Sequence, residues 1–377
     1  MPRAALSRVK TLVVKVGTGT LTRPDATFDR DNCSRLAAEL AEASRGRRVV
    51  LVSSGAITVG AQKLGLERVK GKPWDIATKQ ACAAAGQPDL VAEWGHAIAP
   101  HGIHVAQVLL TADDLANRKR FLNARRTFAR LLELGVLPVV NENDTVAVEE
   151  IKVGDNDSLA ALVAGCVEAD LVALLTDVEG LYDRDPRLKG AALQGLVPRV
   201  TAEVERIAGG AGSERSVGGM ITKVKAAKKL AAQGVATALL SGRRPRALHD
   251  LLAGREVGTL FPPAPERLQG RKGWLAAAAR GKGVILVDVG ARRALVEQGR
   301  SLLPSGVRSV QGAFGVGDPV DIAVDARHPF ARGLAGYGAD DVRRLAGVKT
   351  TEIEKTLGFK DVDEIVHRDD LVVIDAE

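Results

Sequence analysis

Short apolar runs alternate with stretches of helical spacing over the first two-thirds of this 377-residue chain. "TLVVKV", "RRVVLV", "GIHVAQVLL", "GVLPVV" and "DLVALL" each lead into small or polar residues, namely "GTGTLT", "SSGAI", "TADDL", "NENDTV" and "TDVEG". Between them, Asp31–Ser44 and Lys119–Leu134 place apolar residues at helical intervals. Strands alternating with helices predict an α/β fold, a parallel-sheet αβα sandwich. Runs that stay apolar throughout predict strands covered on both faces. In such sheets ligands bind beyond the carboxyl ends of the strands, where the polar clusters stand.

The pattern changes at "FPPAPERLQGRKGW", residues 261–274, which is rich in proline and charge and reads as a linker. Short strands with glycine turns follow, in "GVILVDVGARRALVEQG" and "VRSVQGAFGVGDPVDIAV", and predict a small, mainly β domain. The expected organisation is a first domain over 1–260, a linker over 261–282 and a second domain over 283–377.

Composition is that of a globular protein, with 46% hydrophobic and 26% charged residues. No run of about 18 apolar residues predicts a membrane span. The first ten residues, "MPRAALSRVK", have no apolar secretory core. Cys33, Cys82 and Cys166 are odd in number and far apart, which fits neither a disulfide framework nor a zinc site and predicts a reducing cytoplasm. The net charge of +7 is uneven: residues 283–377 hold 12 Lys and Arg against 16 Asp and Glu, a net −4, which leaves +11 on residues 1–282. A basic first domain suits an anionic small substrate at least as well as a polyanion.

Lys15 raises the first chemical question, because an ammonium in an apolar strand is costly unless an anion or a built cleft receives it. No Walker sequence and no strand-to-helix GxGxxG occurs, so a nucleotide would need other loops. Gly218 and Gly219 open a helix running to about Gln233 and closed by Gly234. Lys223 near its first turn has two readings: one lysine of a solvated face with Lys225, Lys228 and Lys229, or a cation closing over an anion held at the helix N-terminus. Ser53, Ser54 and Gly55 admit a helix cap or an anion-binding turn. Asn141, Glu142, Asn143 and Asp144 follow a strand, and Asp155, Asn156 and Asp157 precede a helix expected near Ser158. Two such clusters bracketing one insertion exceed the need for caps; they could hold an ammonium group or position the lysines, with metal binding as a rival that lacks an EF-hand loop. Thr176 and Asp177 mark a further strand end, and His101 and His104 lie in a context unsuited to a ligand pair.

At these residues the sequence resembles the amino-acid kinase family, in its glutamate-phosphorylating branch. The resemblance rests on "VVKVGT", "SSGAI", "RKRFLNARRT", "PVVNENDTVA", "EIKVGDNDSLAAL", "LLTDVEGLY" and "GGMITKVKAA", in family order over residues 10–260. The tail resembles a PUA domain through "GRSLLPSGV" and "VHRDDLVV". The resemblance implies transfer of a phosphoryl group from ATP, with Mg2+, to the γ-carboxylate of L-glutamate, the first step of proline biosynthesis. It implies that Lys15 and Lys223 contact the phosphates, with Asp157 orienting both. It implies that Ser54, Gly55, Asn141, Asp144, Asp155 and Asn156 hold glutamate. Gly17, Thr176, Asp177 and the loop Val217, Gly218, Gly219, Met220, Ile221, Thr222 and Lys223 would hold ATP. No protein metal ligand is expected. Ser216-Val217 replaces the family's glycine-threonine, so Val217 offers only backbone contacts. The resemblance further implies a homodimer or homotetramer and feedback inhibition by proline. Two other readings compete: a kinase of the same fold acting on acetylglutamate, aspartate, carbamate or a nucleoside monophosphate, and RNA binding through the tail. The tail's net −4 and few aromatics weigh against nucleic acid.

Overall fold

The computed structural model of the protein describes residues 3–67, 74–147, 156–209, 219–263, 275–276, 279 and 281–374, with the side chains of 118 and 119 left aside. The chain divides into two compact units, residues 1–267 and 268–377.

The first unit runs β1 (Thr11–Val16), α1 (Thr18–Leu21), α2 (Arg30–Ser44), β2 (Arg48–Ser53), α3 (Ala56–Lys63), α4 (Ile76–Ile98), β3 (Val105–Leu110), α5 (Ala112–Ala116), α6 (Arg118–Glu133) and β4 (Leu137–Glu142). It continues through α7 (Asn156–Cys166), β5 (Leu171–Thr176), α8 (Ala202–Ala208), α9 (Met220–Ala232), β6 (Ala236–Ser241), α10 (Ala247–Leu252) and β7 (Thr259–Phe261). The strands form one sheet in the order β3-β4-β2-β1-β5-β6-β7. Neighbours are parallel except at the far edge, where β7 runs antiparallel to β6. The five strands expected from apolar runs are all present. The sheet adds two more, β6 parallel to β5 and the short edge strand β7 antiparallel to β6, so the expected parallel sheet carries one antiparallel edge. Phe261, expected in the linker, is the buried last residue of β7.

Alternation along β1 sorts its side chains between two helical layers. Leu12, Val14 and Val16 join a core with Leu36 and Leu40 of α2 and Leu90 and Trp94 of α4. The intervening positions, among them Lys15, face the layer in which α7 and α9 pack on each other, on β1 and on β6. The strand order reverses about β1, whose two neighbours are β2 and β5, so its carboxyl end is a topological switch point.

One close approach fixes the wall beside that end. Gly60 of α3 and Gly86 of α4 let the helices touch through their backbones: a Cβ on Gly86 would lie 2.0 Å from the Ala56 carbonyl oxygen and 2.3 Å from the Gly60 nitrogen. Neither backbone atom can step aside, so Gly86→Ala must separate the helices. The expected cost is about 1–3 kcal/mol or more, read as a lower urea midpoint; an unchanged midpoint would contradict this packing.

The second unit carries β8 (Gly283–Val287), α11 (Val289–Gln298), β9 (Val307–Gly312), β10 (Pro319–Ala323), β11 (Pro329–Leu334), α12 (Ala339–Leu345), α13 (Ile353–Leu357) and β12 (Leu371–Val373). Its five-stranded sheet has the order β12-β11-β10-β8-β9, antiparallel except between β8 and β10. Its own core includes Ile285, Val320, Ile322, Tyr337 and Val342. Among the described residues of both units, no helix is long and apolar enough to cross a membrane.

Candidate active site

Lys15 is the penultimate residue of β1 and is 5% exposed. Its ammonium meets a fully buried carboxylate: Nζ lies 2.7 Å from Oδ1 of Asp157, in the first turn of α7. Lys223 of α9 approaches the other oxygen, with Nζ 3.0 Å from Oδ2. The Thr222 hydroxyl lies 3.0 Å from that Oδ2 and 2.7 Å from the Gly219 carbonyl oxygen, and its single proton serves one of them at a time. Burial works against the charged form of Asp157, but the Lys15 and Lys223 ammonium groups outweigh it and hold the carboxyl below the ordinary carboxylate range. Two buried ammonium groups thus converge on one carboxylate, a concentration of cationic side chains that suits an anionic ligand.

This arrangement removes the solvated-face reading of Lys223. The helical repeat leaves Lys225, Lys228 and Lys229 exposed, and Lys228 pairs with Glu205 at 2.9 Å. Lys223 itself is 5% exposed and lies inward. The helix after the D-N-D run begins at Asn156, two residues earlier than expected, so Asn156 and Asp157 belong to its first turn. That shift aims Asp157 at the sheet, where a residue ahead of the helix would only cap it.

A second group of polar side chains stands at the ends of β2 and β4. Asn156 donates through Nδ2 to the Ser54 hydroxyl oxygen at 2.8 Å and to Oδ1 of Asn141 at 2.9 Å. Asn141 donates in turn to Oε1 of Gln87 at 2.7 Å. Ser54 follows β2 and its backbone N–H donates to the Val16 carbonyl, tying this group to the end of β1. Gly55 supplies a φ of 114°, a left-handed turn into α3 that a side chain would strain. Trp94 donates to the Ser53 hydroxyl at 2.8 Å from within the core. Asp144 is half-buried in the turn after β4.

Of the remaining expected nucleotide contacts, Gly17, Thr176 and Asp177 stand at strand ends, and Gly219, Met220 and Ile221 open α9. The Gly17 N–H donates to the Leu175 carbonyl, so the loop after β1 lies against the end of β5. Thr176 closes β5 and donates to Asp177 at 2.9 Å; Asp177 is exposed beside Gly19. Gly219 caps α9, followed by Met220 and Ile221, both half-buried. Asp155, Val217 and Gly218 lie outside the described residues. Gln87 was not singled out by the sequence: a lone glutamine in an alanine-rich helix gives no signal.

Among the described residues no group of three His, Cys, Asp or Glu side chains converges to hold a metal ion. Both oxygens of Asp157 are already engaged by ammonium groups.

The amino acid kinase family model matches residues 10–240, and the PUA domain model matches residues 283–357. A glutamate 5-kinase from Anaeromyxobacter dehalogenans (strain 2CP-C) is 76% identical over 376 residues, covering 100% of this chain and 99% of that protein. A glutamate 5-kinase from Myxococcus xanthus (strain DK1622) is 50% identical over 373 residues, covering 99% and 98%. A solved isopentenyl phosphate kinase aligns with 67% of this chain and 99% of its own, at 20% identity and a TM-score of 0.46. The full-length agreement with the two curated relatives, together with both domain matches, shows that this chain belongs to the amino acid kinase family and carries a PUA domain.

Proposed function

We propose that this chain transfers the γ-phosphoryl group of ATP to the γ-carboxylate of L-glutamate, giving L-glutamyl 5-phosphate, the first step of proline biosynthesis. The observation that carries the reading is the buried Lys15–Asp157–Lys223 cluster, set beside the Ser54–Asn156–Asn141 group. The relatives at 76% and 50% identity, named glutamate 5-kinase, support the choice of acceptor.

The chemistry needs little beyond placement and charge. The attacking carboxylate and the γ-phosphate are both anions, and unit charges at about 4 Å in an effective dielectric of about 20 repel by about 4 kcal/mol. Lys15 and Lys223 offset that repulsion and stabilise charge that builds on the equatorial oxygens during transfer. Asp157 holds the two ammonium groups in place without touching substrate. Ser54, Gly55, Asn141, Asp144, Asp155 and Asn156 receive glutamate, and Gly17, Thr176, Asp177 and residues 217–223 receive the nucleotide. Mg2+ would arrive with ATP, held by phosphates and water.

A coupled assay of ADP release tests the reading. Glutamate is expected to support turnover, with aspartate, acetylglutamate, carbamate and UMP near background. Faster release with any of those four would overturn the acceptor assignment. We further propose a cytoplasmic homo-oligomer in which proline competes for the amino-acid site, since both ligands carry an ammonium and a carboxylate. The three cysteines are buried and none is in a disulfide, which suits a reducing compartment. Proline added to the same assay should raise KM for glutamate and leave KM for ATP unchanged.

A further inference from the structure

Gln87 is 7% exposed, on the face of α4 turned toward the end of β4. Its Nε2 is buried and has no hydrogen-bond partner among the described residues. A buried donor left unpaired is costly, and a methionine of similar size would fill the same space without one. What the glutamine offers in return is Oε1, the acceptor of the buried Asn141 Nδ2.

The polarity of the amide chain is fixed from the backbone. The Glu142 N–H can only donate, and it lies 2.9 Å from the Asn141 side chain, so the atom it meets is Oδ1. The other end of Asn141 must then be the donor, and the Gln87 atom it reaches must be Oε1. The Asn156 atom facing Asn141 is likewise nitrogen. Both Asn156 donor protons are thus drawn toward Ser54 and Asn141, and its Oδ1 accepts no hydrogen bond from a described residue.

We propose that Gln87 is a positioning residue for amino-acid binding: by receiving the free end of Asn141 it holds the Asn141–Asn156 relay, so that Oδ1 of Asn156 is kept as an acceptor for the ligand's α-ammonium. The inference rests on the proposed function and deepens it. Gln87 sets preference for an acid that carries an ammonium over one that does not.

The test compares glutamate with glutarate, the same diacid without the amino group. Their dissociation constants are measured by calorimetry in the presence of a non-hydrolysable ATP analogue, for the wild-type chain, Gln87→Met and Gln87→Glu. The wild type is expected to prefer glutamate, and Gln87→Met should shrink that preference by about 10- to 100-fold, the range for a hydrogen bond to a charged group. Its affinity for the ATP analogue should stay within about 2-fold and its thermal midpoint should change little, since the change removes one unpaired buried donor, Nε2 of Gln87, and leaves another, Nδ2 of Asn141. Gln87→Glu keeps an acceptor for Asn141 and should retain most of the preference. An unchanged glutamate-to-glutarate ratio in Gln87→Met sinks the relay alone. So does an equal loss of both acids together with a lower thermal midpoint, which is the mark of a structural role. A wild-type chain that binds neither acid sinks the proposed function and this inference with it.

Discussion

Lys15→Ala is expected to lower kcat by about 100- to 1,000-fold, the range for removing one preorganised charge donor, while the protein stays folded. The second half follows from the cluster's pairing. Lys15 and Lys223 share the carboxylate of Asp157, so losing one ammonium still leaves the other paired with it. The fold therefore keeps a paired Asp157, and the loss falls on the phosphoryl group that the missing cation would have met. Lys223→Ala should behave alike, since its ammonium sits on the other oxygen of the same carboxylate. The double variant should fall short of the summed effects, because the two cations act on one charge. Steady-state kinetics with circular dichroism of each purified variant checks this. Near-normal turnover in Lys15→Ala would remove the basis of the proposed mechanism.

Asp157→Asn is expected to do the opposite to stability. Two ammonium groups, each 5% exposed, would lose the carboxylate that they share. Breaking a buried pair by removing one partner costs about 3–5 kcal/mol, and the lysines would also lose the geometry that turnover needs. Saturating ATP should recover part of that loss in the variant, since phosphates supply the missing negative charge. The pH dependence has a definite sign. The folded-state carboxyl of Asp157 lies below its ordinary range, so its contribution is complete above the unfolded value of about 3.9 and fades as pH falls through the folded value. Urea midpoints of wild type and Asp157→Asn should thus differ most near neutrality and converge on acidification. A gap that stays constant down to pH 3 would show that Asp157 does not carry this charge.

Lys15 was legible because its strand is otherwise apolar, and a charge there demands a reason. The clusters after β2 and β4 were legible because small and amide-bearing residues follow continuous apolar runs. Lys223 was legible only through the family resemblance, since helical spacing alone sets it among three other lysines, and the packing of α9 on α7 turns it inward. The boundary of α7 was missed because Asp155, Asn156 and Asp157 all look like residues that precede a helix, while two of them lie within it. β7 was missed because three residues, "TLF", are too short to declare a strand or its direction.

What the sequence by itself determined is the succession of strands and helices, the two-part organisation and the set of polar residues that strand ends present, because those are written in local periodicity. What only the tertiary structure decided is which of those groups meet. Lys15, Asp157 and Lys223 stand on three separate elements, and Gln87 reaches Asn141 from a fourth. Their convergence depends on the strand order reversing about β1 and on two helices packing closely over its end, a consequence of burial summed over the whole core that no local stretch encodes.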